Sequence, residues 1–353
     1  MPLGHEFPAQ PCRLCGTATR RLVADRGRGG APLETALCTG CGLVSHAEIP
    51  AEAEVSAFYA TRYRLEYKGG FAPKRKHALR ALRGAMARAR RLAPLLPAHA
   101  RVLDIGASSG EFTFVMREAG FTASGLEPNW GYAEFARREY GVEIGQGGWD
   151  SADFPREALH LVTMNHVMEH LTDPWAAMRR IHEALAPEGL LFIEVPNLEG
   201  VRKQLTNTFH AAHIWNFTPA TLIAAAWQAG FTPRAGENLS HTSIVFRKRR
   251  AEDAPPLGAD AAHAEALWRQ MTQEQSRRAY LLSAAPITRR WQRLIRNIGE
   301  HVTTRRHATI RAMGEALLDA AALEPASPWA ARHGWRMGGR RQPANSAATR
   351  AKA

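Results

Sequence analysis

The sequence predicts an α/β fold built on a doubly wound parallel sheet, preceded by a small metal-binding unit and followed by a mainly helical extension. Three observations lead to this prediction. They are a strand, glycine turn, helix and second strand within residues 101–129, two pairs of cysteines near the amino terminus, and helical spacing of apolar residues after residue 258. With 353 residues, of which 45% are hydrophobic and 22% charged, the chain is long enough for about two domains with extensions.

The composition limits where the protein works and what it contacts. No stretch of 18 uncharged apolar residues occurs, and the amino terminus lacks the apolar core of a signal peptide. We therefore expect no membrane association and a cytoplasmic location, where the cysteines stay reduced. The net charge is +13, and residues 289–352 alone hold 13 Lys or Arg against four acids. Most of the excess positive charge thus lies in residues 289–352.

Residues 8–50 contain two C-x-x-C pairs, Cys12 with Cys15 and Cys38 with Cys41, each followed by a glycine and separated by 22 residues. This spacing brings four sulfurs around one tetrahedral ion, as in a zinc ribbon. Four thiolates leave no open coordination position, so we predict a structural Zn²⁺ that supplies folding energy to a unit with a small core. Redox-active pairs are the alternative, although neither pair lies at a strand-to-helix junction.

Residues 51–99 are predicted to be an aromatic linker followed by a basic helix. The aromatic residues Phe58, Tyr59, Tyr63 and Tyr67 connect the first unit to the next domain. The helix, Lys74 to Ala93, carries apolar residues on one face and eight Lys or Arg, without an acid, elsewhere. That basic surface is either a solvated face or one that steers an anionic substrate towards a pocket.

The stretch from Arg101 to Asn129 carries the clearest chemical signal. A short apolar strand ends at the turn Gly106 to Gly110, and a second strand ends at Glu127, 23 residues after Asp104. Small residues let a ligand approach the backbone, and a carboxylate at the end of the second strand accepts both hydroxyls of a ribose. The stretch therefore predicts a nucleoside site. The turn does not fit the G-x-G-x-x-G spacing of dinucleotide-binding folds.

The same stretch resembles motif I, D-x-G-x-G-x-G, of the class I S-adenosylmethionine-dependent methyltransferases, with Ser108 in place of the middle glycine. The resemblance implies S-adenosylmethionine as cofactor. It also implies that Asp150 contacts the adenine and that the aromatic linker folds over the cofactor. The cofactor-binding residues predicted in this way are Asp104, Gly106, Ser108, Gly110, Glu127, Asp150 and Asn165.

Two further motifs extend the resemblance to roughly residues 10–250, with the methyltransferase domain at residues 100–250. Val167 to Pro174 resembles the V-x-E-H-x-x-D-P signature of ubiquinone-type O-methyltransferases and zinc-ribbon methyltransferases. His213 to Pro219 is similar to the H-x-x-x-F-[ST] motif of the same group, which implies a base in this region. A sulfonium methyl group is already activated, so a base is needed only for a hydroxyl or carbon acceptor. The predicted catalytic residues are His213, His170 and Glu169, and each histidine is otherwise a structural residue.

The last hundred residues depart from this resemblance, because they show no pattern of a second α/β domain. Ala262 to Ala285 and Ile287 to Leu323 are predicted to be helical within an extension at residues 258–325, and residues 326–353 to be a disordered basic tail. The helices either cover the core or pair two subunits into a homodimer.

Three functions remain open from the sequence. The first is methyl transfer to an O or C acceptor on a small molecule such as a sugar, a nucleotide-linked sugar or a secondary metabolite. The second is methylation of RNA, with the ribbon and basic tail as the grip; nucleic acid is the less favoured partner because the tail contains no recognisable binding module. The third is ligand binding on the same fold without catalysis.

Overall fold

The computed structural model describes residues 3–58, 72–151, 154–199, 208–274, 285–324 and 326–330. The strands are β1 (Glu6–Pro8), β2 (Thr19–Arg26), β3 (Pro32–Cys38), β4 (Val44–His46), β5 (Arg101–Ile105), β6 (Thr122–Glu127), β7 (Glu143–Gln146), β8 (Leu159–Asn165), β9 (Leu185–Glu194), β10 (Trp215–Asn216), β11 (Phe231–Pro233) and β12 (Ser243–Lys248). The α-helices are α1 (Glu52–Ala57), α2 (Arg75–Leu92), α3 (Glu111–Glu118), α4 (Trp130–Tyr140), α5 (Pro174–Ala184), α6 (Pro219–Gln228), α7 (Ala261–Arg269), α8 (Ala285–Arg305) and α9 (Ile310–Ala321).

A seven-stranded sheet forms the centre of the molecule, in the order β11-β12-β9-β8-β5-β6-β7. The five strands from β9 to β7 are parallel, whereas β12 and β11 are antiparallel to their neighbours. The strand order reverses beside β5, so the carboxyl ends of β5 and β8 lie at the topological switch point where α/β sheets bind ligands. The predicted α/β, doubly wound, Rossmann-like sheet is confirmed.

Helices cover both faces of this sheet. Neighbouring residues of each central strand point to opposite faces, and both sets of side chains are buried. Val102 and Leu161 pack with α2, α3, α4 and α9, while Leu103 and Val162 pack with α5 and α6. The continuous apolar runs in the sequence have this cause, since a parallel strand buried on both sides has no solvent-facing positions.

A second sheet, in the order β1-β2-β3-β4-β10, contains the four-cysteine unit and one strand from outside it. Trp215 and Asn216 of β10 pair with Ser45 and Val44 of β4. The sequence predicted a separate unit at residues 8–50. The structure instead shows that this unit begins its pairing at Glu6 and is completed by a strand that follows His213. Strand pairing over long sequence separation leaves no local signal.

Residues 186–189, with the sequence Ala-Pro-Glu-Gly, form part of β9 in the structure. Its pairing with β8 passes from Leu159 with Leu185 to Leu161 with Leu190, so the intervening residues bulge out of the ladder. A Cβ on Gly189 would lie 2.8 Å from the carbonyl oxygen of Leu159, which explains a glycine at this close approach.

The carboxyl-terminal extension is helical, as the sequence suggested, but its second predicted helix is divided into α8 and α9. Residues 306–309 separate the two helices. Thr309 starts α9, because its side chain accepts a hydrogen bond from the backbone N–H of Ala312 and caps the helix. Buried residues of α9, including Met313 and Leu318, pack against α2 and α3, so this helix covers the core. Homodimer formation through these helices stays a prediction.

The start of the predicted disordered tail lies on the core as well. Trp329 is fully buried, and its indole N–H donates to the carbonyl of Val115 at 3.1 Å. Residues 331–353 of the tail, like Tyr59, Tyr63 and Tyr67 of the linker, lie outside the described residues. Among the helices in the described part of the chain, none combines the length and the apolar character needed to cross a bilayer.

Candidate functional site

A cavity of about 820 Å³ opens at the carboxyl ends of β5, β6, β7 and β8. Six of the seven predicted cofactor-binding residues and all three predicted catalytic residues line it: Asp104, Gly106, Ser108, Glu127, Asp150, Asn165, Glu169, His170 and His213. The volume lies in the usual range for sites that enclose a small molecule or cofactor. Residues separated by more than one hundred positions in the sequence thus meet in one enclosed space.

Glu127 ends β6 and is only 4% exposed. One carboxylate oxygen accepts a hydrogen bond from the backbone N–H of Ser108 at 2.9 Å, and the other accepts one from the N–H of Asn129 at 3.1 Å. These two donors hold the carboxylate in place. The carboxylate lines the cavity at the end of the second strand, the position from which a carboxylate binds the hydroxyls of a ribose.

The glycine turn brings the backbone close to the neighbouring strand. Gly106 has a φ of +73°, and a Cβ added there would lie closer than 3.0 Å to Cγ2 of Val167. Ser108 also has a positive φ, of 53°, although it is not glycine. This conformation costs an L-residue roughly 1–2 kcal/mol, and it directs the N–H of Ser108 at Glu127. Strain of this kind is common at ligand sites.

Gly110 is the one predicted cofactor-binding residue that does not line the cavity. It precedes α3 with a φ of +83°, and a Cβ there would lie 2.7 Å from Cβ of Ala136. The absence of a side chain therefore allows α3 and α4 to pack closely. Sequence alone does not separate this role from cofactor binding, because both place a glycine at the end of the same turn.

Asp104 and Asn165 lie at the ends of β5 and β8. Burial raises the pKa of Asp104 to about 6, although the hydroxyl of Thr163 donates to its carboxylate at 2.6 Å and the charge of Arg88 also favours ionisation. The side-chain oxygen of Asn165 is buried without a hydrogen-bond partner among the described residues. Because Asn165 lines the cavity, this oxygen is available to accept a hydrogen bond from a bound ligand or a water molecule.

Glu169 stands at the centre of three histidines on the other side of the cavity. Its Oε1 lies 3.3 Å from Nδ1 of His166, 3.7 Å from Nε2 of His170 and 3.9 Å from Nε2 of His213. The carboxylate is 1% exposed, and its second oxygen has no hydrogen-bond partner among the described residues. The carboxylate raises the pKa of the His166 ring, with which it shares a hydrogen bond.

The protonation of these rings differs with their surroundings. His170 Nδ1 donates to the carbonyl of Ala212, so Nδ1 carries an N–H, and Nε2 on the other side of the ring lies 3.7 Å from Oε1 of Glu169. Burial, with the charges of His170 and His210 next, lowers the pKa of His213 far below its usual range, so its ring is neutral. Burial also lowers the pKa of His210 to about 4. For His166 burial acts in the same direction, but its hydrogen bond to Glu169 raises the pKa overall.

The four cysteines form a cluster that fits a tetrahedral metal ion. Their sulfurs lie within 4.8 Å of one another, with 3.7 Å from Cys12 to Cys41 and 3.5 Å from Cys15 to Cys38. A tetrahedron with metal–sulfur bonds of about 2.3 Å places sulfurs about 3.8 Å apart. Hydrogen bonds from Cys38 and Cys41 lower the pKa of the Cys12 thiol, and their bonds to Cys12 raise the pKa of both donors. Only a cation allows all four to ionise together.

A second group of metal-ligating atoms lies in the cavity. One ligand atom each of Glu169, His170 and His213 fall within 4.8 Å of one another. These atoms belong to the carboxylate and to two of the three imidazole rings described above.

Sequence reasoning missed several residues that line the cavity. Ala81, Gly84 and Arg88 of the basic helix face it, and their spacing of three and four residues was a usable signal of a shared face. Glu52 of α1 and Glu111 at the start of α3 also line it. Neither carried a distinguishing pattern, because single acids near a helix start are common for reasons of capping and dipole alone.

The chain is similar in sequence to known methyltransferases over part of its length. Residues 75–235 match the family model of a methyltransferase domain. A stretch of 96 residues, 26% of this chain, is 31% identical to an uncharacterized methyltransferase of Oceanobacillus iheyensis, and the chain spans 44% of that relative's length.

Solved structures with a similar fold include two methyltransferases. The 1,6-didemethyltoxoflavin-N1-methyltransferase of Burkholderia thailandensis, with bound S-adenosylhomocysteine, is 20% identical with a TM-score of 0.46, covering 64% of this chain and 100% of that one. A possible histamine N-methyltransferase of Thermotoga maritima is 19% identical with a TM-score of 0.41, covering 55% and 99%. The segment that matches the methyltransferase family model, residues 75–235, contains the central strands of the large sheet and most of the residues that line the cavity.

Proposed function

We propose that this protein transfers a methyl group from S-adenosylmethionine to an oxygen or carbon of a small molecule, such as a sugar, a nucleotide-linked sugar or a secondary metabolite. One observation carries the proposal. A single cavity joins a buried carboxylate suited to a ribose, Glu127, with a neutral histidine next to a buried carboxylate, His213 with Glu169. Cofactor and acceptor would meet between these two groups.

The charge of the cavity supports a cationic cofactor. Its lining contains six acidic residues, Glu52, Asp104, Glu111, Glu127, Asp150 and Glu169, against two arginines, Arg80 and Arg88. Arg80 is paired with Glu300, so its charge is already compensated. A negative lining inside low-dielectric walls attracts a sulfonium and its ammonium group. Arg88, which lines the cavity beside the acids, is the cation to which an anionic group would bind.

The protein's part in the reaction is alignment and proton removal. S-adenosylmethionine, when bound, supplies an electrophilic methyl group. Glu127 would hold the ribose, and the turn at Gly106 lets the cofactor approach the backbone. His213 has a neutral ring that would take a proton from a hydroxyl or an acidic C–H. Burial weakens this ring as a base, and Glu169 at 3.9 Å would offset that effect by stabilising the imidazolium. His170, whose Nε2 lies 3.7 Å from Oε1 of Glu169, is the second candidate base.

Enclosure of the acceptor side favours a small molecule over RNA. The side chains of Glu169 and His213 are 1% and 19% exposed, so an acceptor atom must enter the cavity to reach them. The alternative, RNA methylation, is favoured only by the net charge of +13. Several arginines are engaged by acids, for example Arg21 by Glu6 and Glu265, and Arg247 by Asp253. Affinity for total RNA that falls steeply between 50 and 200 mM salt, on the order of a thousandfold, would support the alternative.

Calorimetry with S-adenosylmethionine and S-adenosylhomocysteine tests the proposal. The zinc-loaded protein should bind both, and Glu127→Ala should weaken binding at least tenfold, since two charge-assisted hydrogen bonds to hydroxyls are worth about 1.5–3 kcal/mol each. Glu143→Ala is the matched control, because Glu143 is an exposed carboxylate at the start of the adjacent strand β7. If the wild-type protein binds neither compound at millimolar concentration, the proposed function is wrong.

A further inference from the structure

The strand that follows the cysteine cluster lies against the loop that carries His213. We infer that the four-cysteine ribbon is a positioning device for this loop, so that the metal held by the cysteines controls the acceptor side of the cavity and leaves the cofactor side unaffected. The inference rests on the proposed function, because only there is His213 the base that acts on the acceptor.

The ribbon holds the loop at both of its ends. The backbone N–H of Arg28 donates to the carbonyl of Phe209 at 2.7 Å, four residues before His213. The N–H of His46 donates to the carbonyl of Ile214 at 2.9 Å, and Ser45 pairs with Trp215. His213 therefore lies within a segment whose two ends are hydrogen-bonded to the ribbon.

The holding strand is directly connected to the cysteines. β4 begins three residues after Cys41, and the turn between them closes on Cys38, whose carbonyl accepts from Gly42 and whose N–H donates to Leu43. The sulfurs of Cys12, Cys38 and Cys41 are packed in the same apolar cluster as Trp215 and Trp175. A change in the cysteine cluster thus reaches β4 and the loop through packed, hydrogen-bonded groups.

The loop in turn is fixed to the residues around Glu169. The indole N–H of Trp215 donates to the carbonyl of Leu171 at 2.8 Å, and His170 bonds to the carbonyl of Ala212. These contacts set the distance of 3.9 Å between His213 and Glu169. A displacement of about 1 Å in such a pair can lower a rate about a hundredfold.

The cofactor side is held by other groups. Ser108 and Asn129 donate to Glu127, and they belong to the glycine turn and to the cap of α4. Both lie in the large sheet's own connections. Loosening of the ribbon should therefore spare cofactor affinity while it frees the loop.

A pair of substitutions at His46 tests the inference in the full-length, zinc-loaded protein. His46→Pro removes the N–H that bonds to Ile214, whereas His46→Ala keeps it and removes only the side chain, whose Nε2 lies 3.4 Å from the carbonyl of His210. Both variants should keep one zinc per chain and bind S-adenosylhomocysteine within about twofold of each other. Hydrogen exchange of residues 208–217 should be at least tenfold faster in His46→Pro than in His46→Ala.

A spectroscopic signature separates positioning of His213 from general loosening. In protein labelled with ¹⁵N-histidine, the ring signals of His213, assigned with a His213→Asn variant, should move in His46→Pro and stay in place in His46→Ala. Removal of zinc by a chelator should reproduce the faster exchange at residues 208–217 while S-adenosylhomocysteine is still bound.

The outcomes distinguish the inference from the function on which it rests. Equal exchange at residues 208–217 in the two variants, or equal loss of S-adenosylhomocysteine affinity and loop protection, would overturn the inference. Absence of S-adenosylhomocysteine binding in the wild-type protein, with the exchange difference preserved, would instead overturn the proposed function and leave the coupling between ribbon and loop standing.

Discussion

Replacement of Gly106 by alanine is the most direct test of the site's geometry. It lowers the free energy of unfolding in two ways, and each can be measured independently. The first cost is conformational: a φ of +73° costs an alanine roughly 1–2 kcal/mol. The second is steric, since the new Cβ would lie closer than 3.0 Å to Cγ2 of Val167 and must separate by roughly 1 Å to reach ordinary contact. Overpacking of this size costs about 1–3 kcal/mol.

Gly120 provides the matched control. Its φ is +93°, but a Cβ there meets nothing within 4 Å, so Gly120→Ala should show the conformational cost alone, about 1–2 kcal/mol. Gly106→Ala should be less stable than this control by a further amount of about 1–3 kcal/mol. In a Val167→Ala background that excess should disappear, because the colliding methyl group is gone.

Urea denaturation of the four variants and the wild-type protein gives these free energies of unfolding. Calorimetry should also show that Gly106→Ala weakens S-adenosylhomocysteine binding tenfold or more, because Val167 lines the cavity and is displaced. Equal destabilisation by the two glycine substitutions, or an undiminished effect of Gly106→Ala beside Val167→Ala, would refute the reasoning.

Three further predictions concern other parts of the molecule. Because burial raises the pKa of Asp104 from 3.8 to about 6, the folded state binds its proton more tightly, and stability is lost as pH rises from about 4 through 6. Asp104→Asn should therefore gain about 1 kcal/mol over the wild type between pH 5 and pH 8 in urea denaturation, and a constant difference would contradict this. Ser108→Gly should change stability by between 0 and about +1 kcal/mol, as relief of the positive φ is partly offset by chain entropy, with cofactor affinity retained; clear destabilisation in thermal melts would show that the serine side chain is needed. Free Zn²⁺ buffered at about a thousand times its dissociation constant should add about 4 kcal/mol of stability, and replacement of Cys38 by serine should abolish most of that gain; an unchanged gain in Cys38→Ser would exclude the cysteines as the site.

The sequence was sufficient for most of the large sheet, because its elements carry local signals. A short apolar run marked β5, the second strand of the same unit marked β6, and the helical spacing of α2 predicted its buried face. The break between α8 and α9 was missed, since Thr309 is a cap that only matters once α9 packs on the core. The bulge within β9 has no local signal of its own, because a four-residue turn and a bulged ladder have the same composition.

The candidate site was predictable where one segment supplied both the fold and the chemistry. Asp104, Gly106, Ser108 and Glu127 belong to one strand-turn-helix-strand unit, and their meeting follows from the connection alone. Gly110 shows the limit, because a glycine that permits helix packing and one that faces a ligand look the same in a sequence.

What the sequence by itself determined is the type of each element and the chemistry at the ends of the central strands, since periodicity and turn residues act over a few positions. The tertiary structure alone decided that β10 joins the cysteine sheet, and that His213 meets Glu169 across 44 residues of chain. Such contacts depend on how distant segments share a core, and packing of that kind is a property of the whole chain.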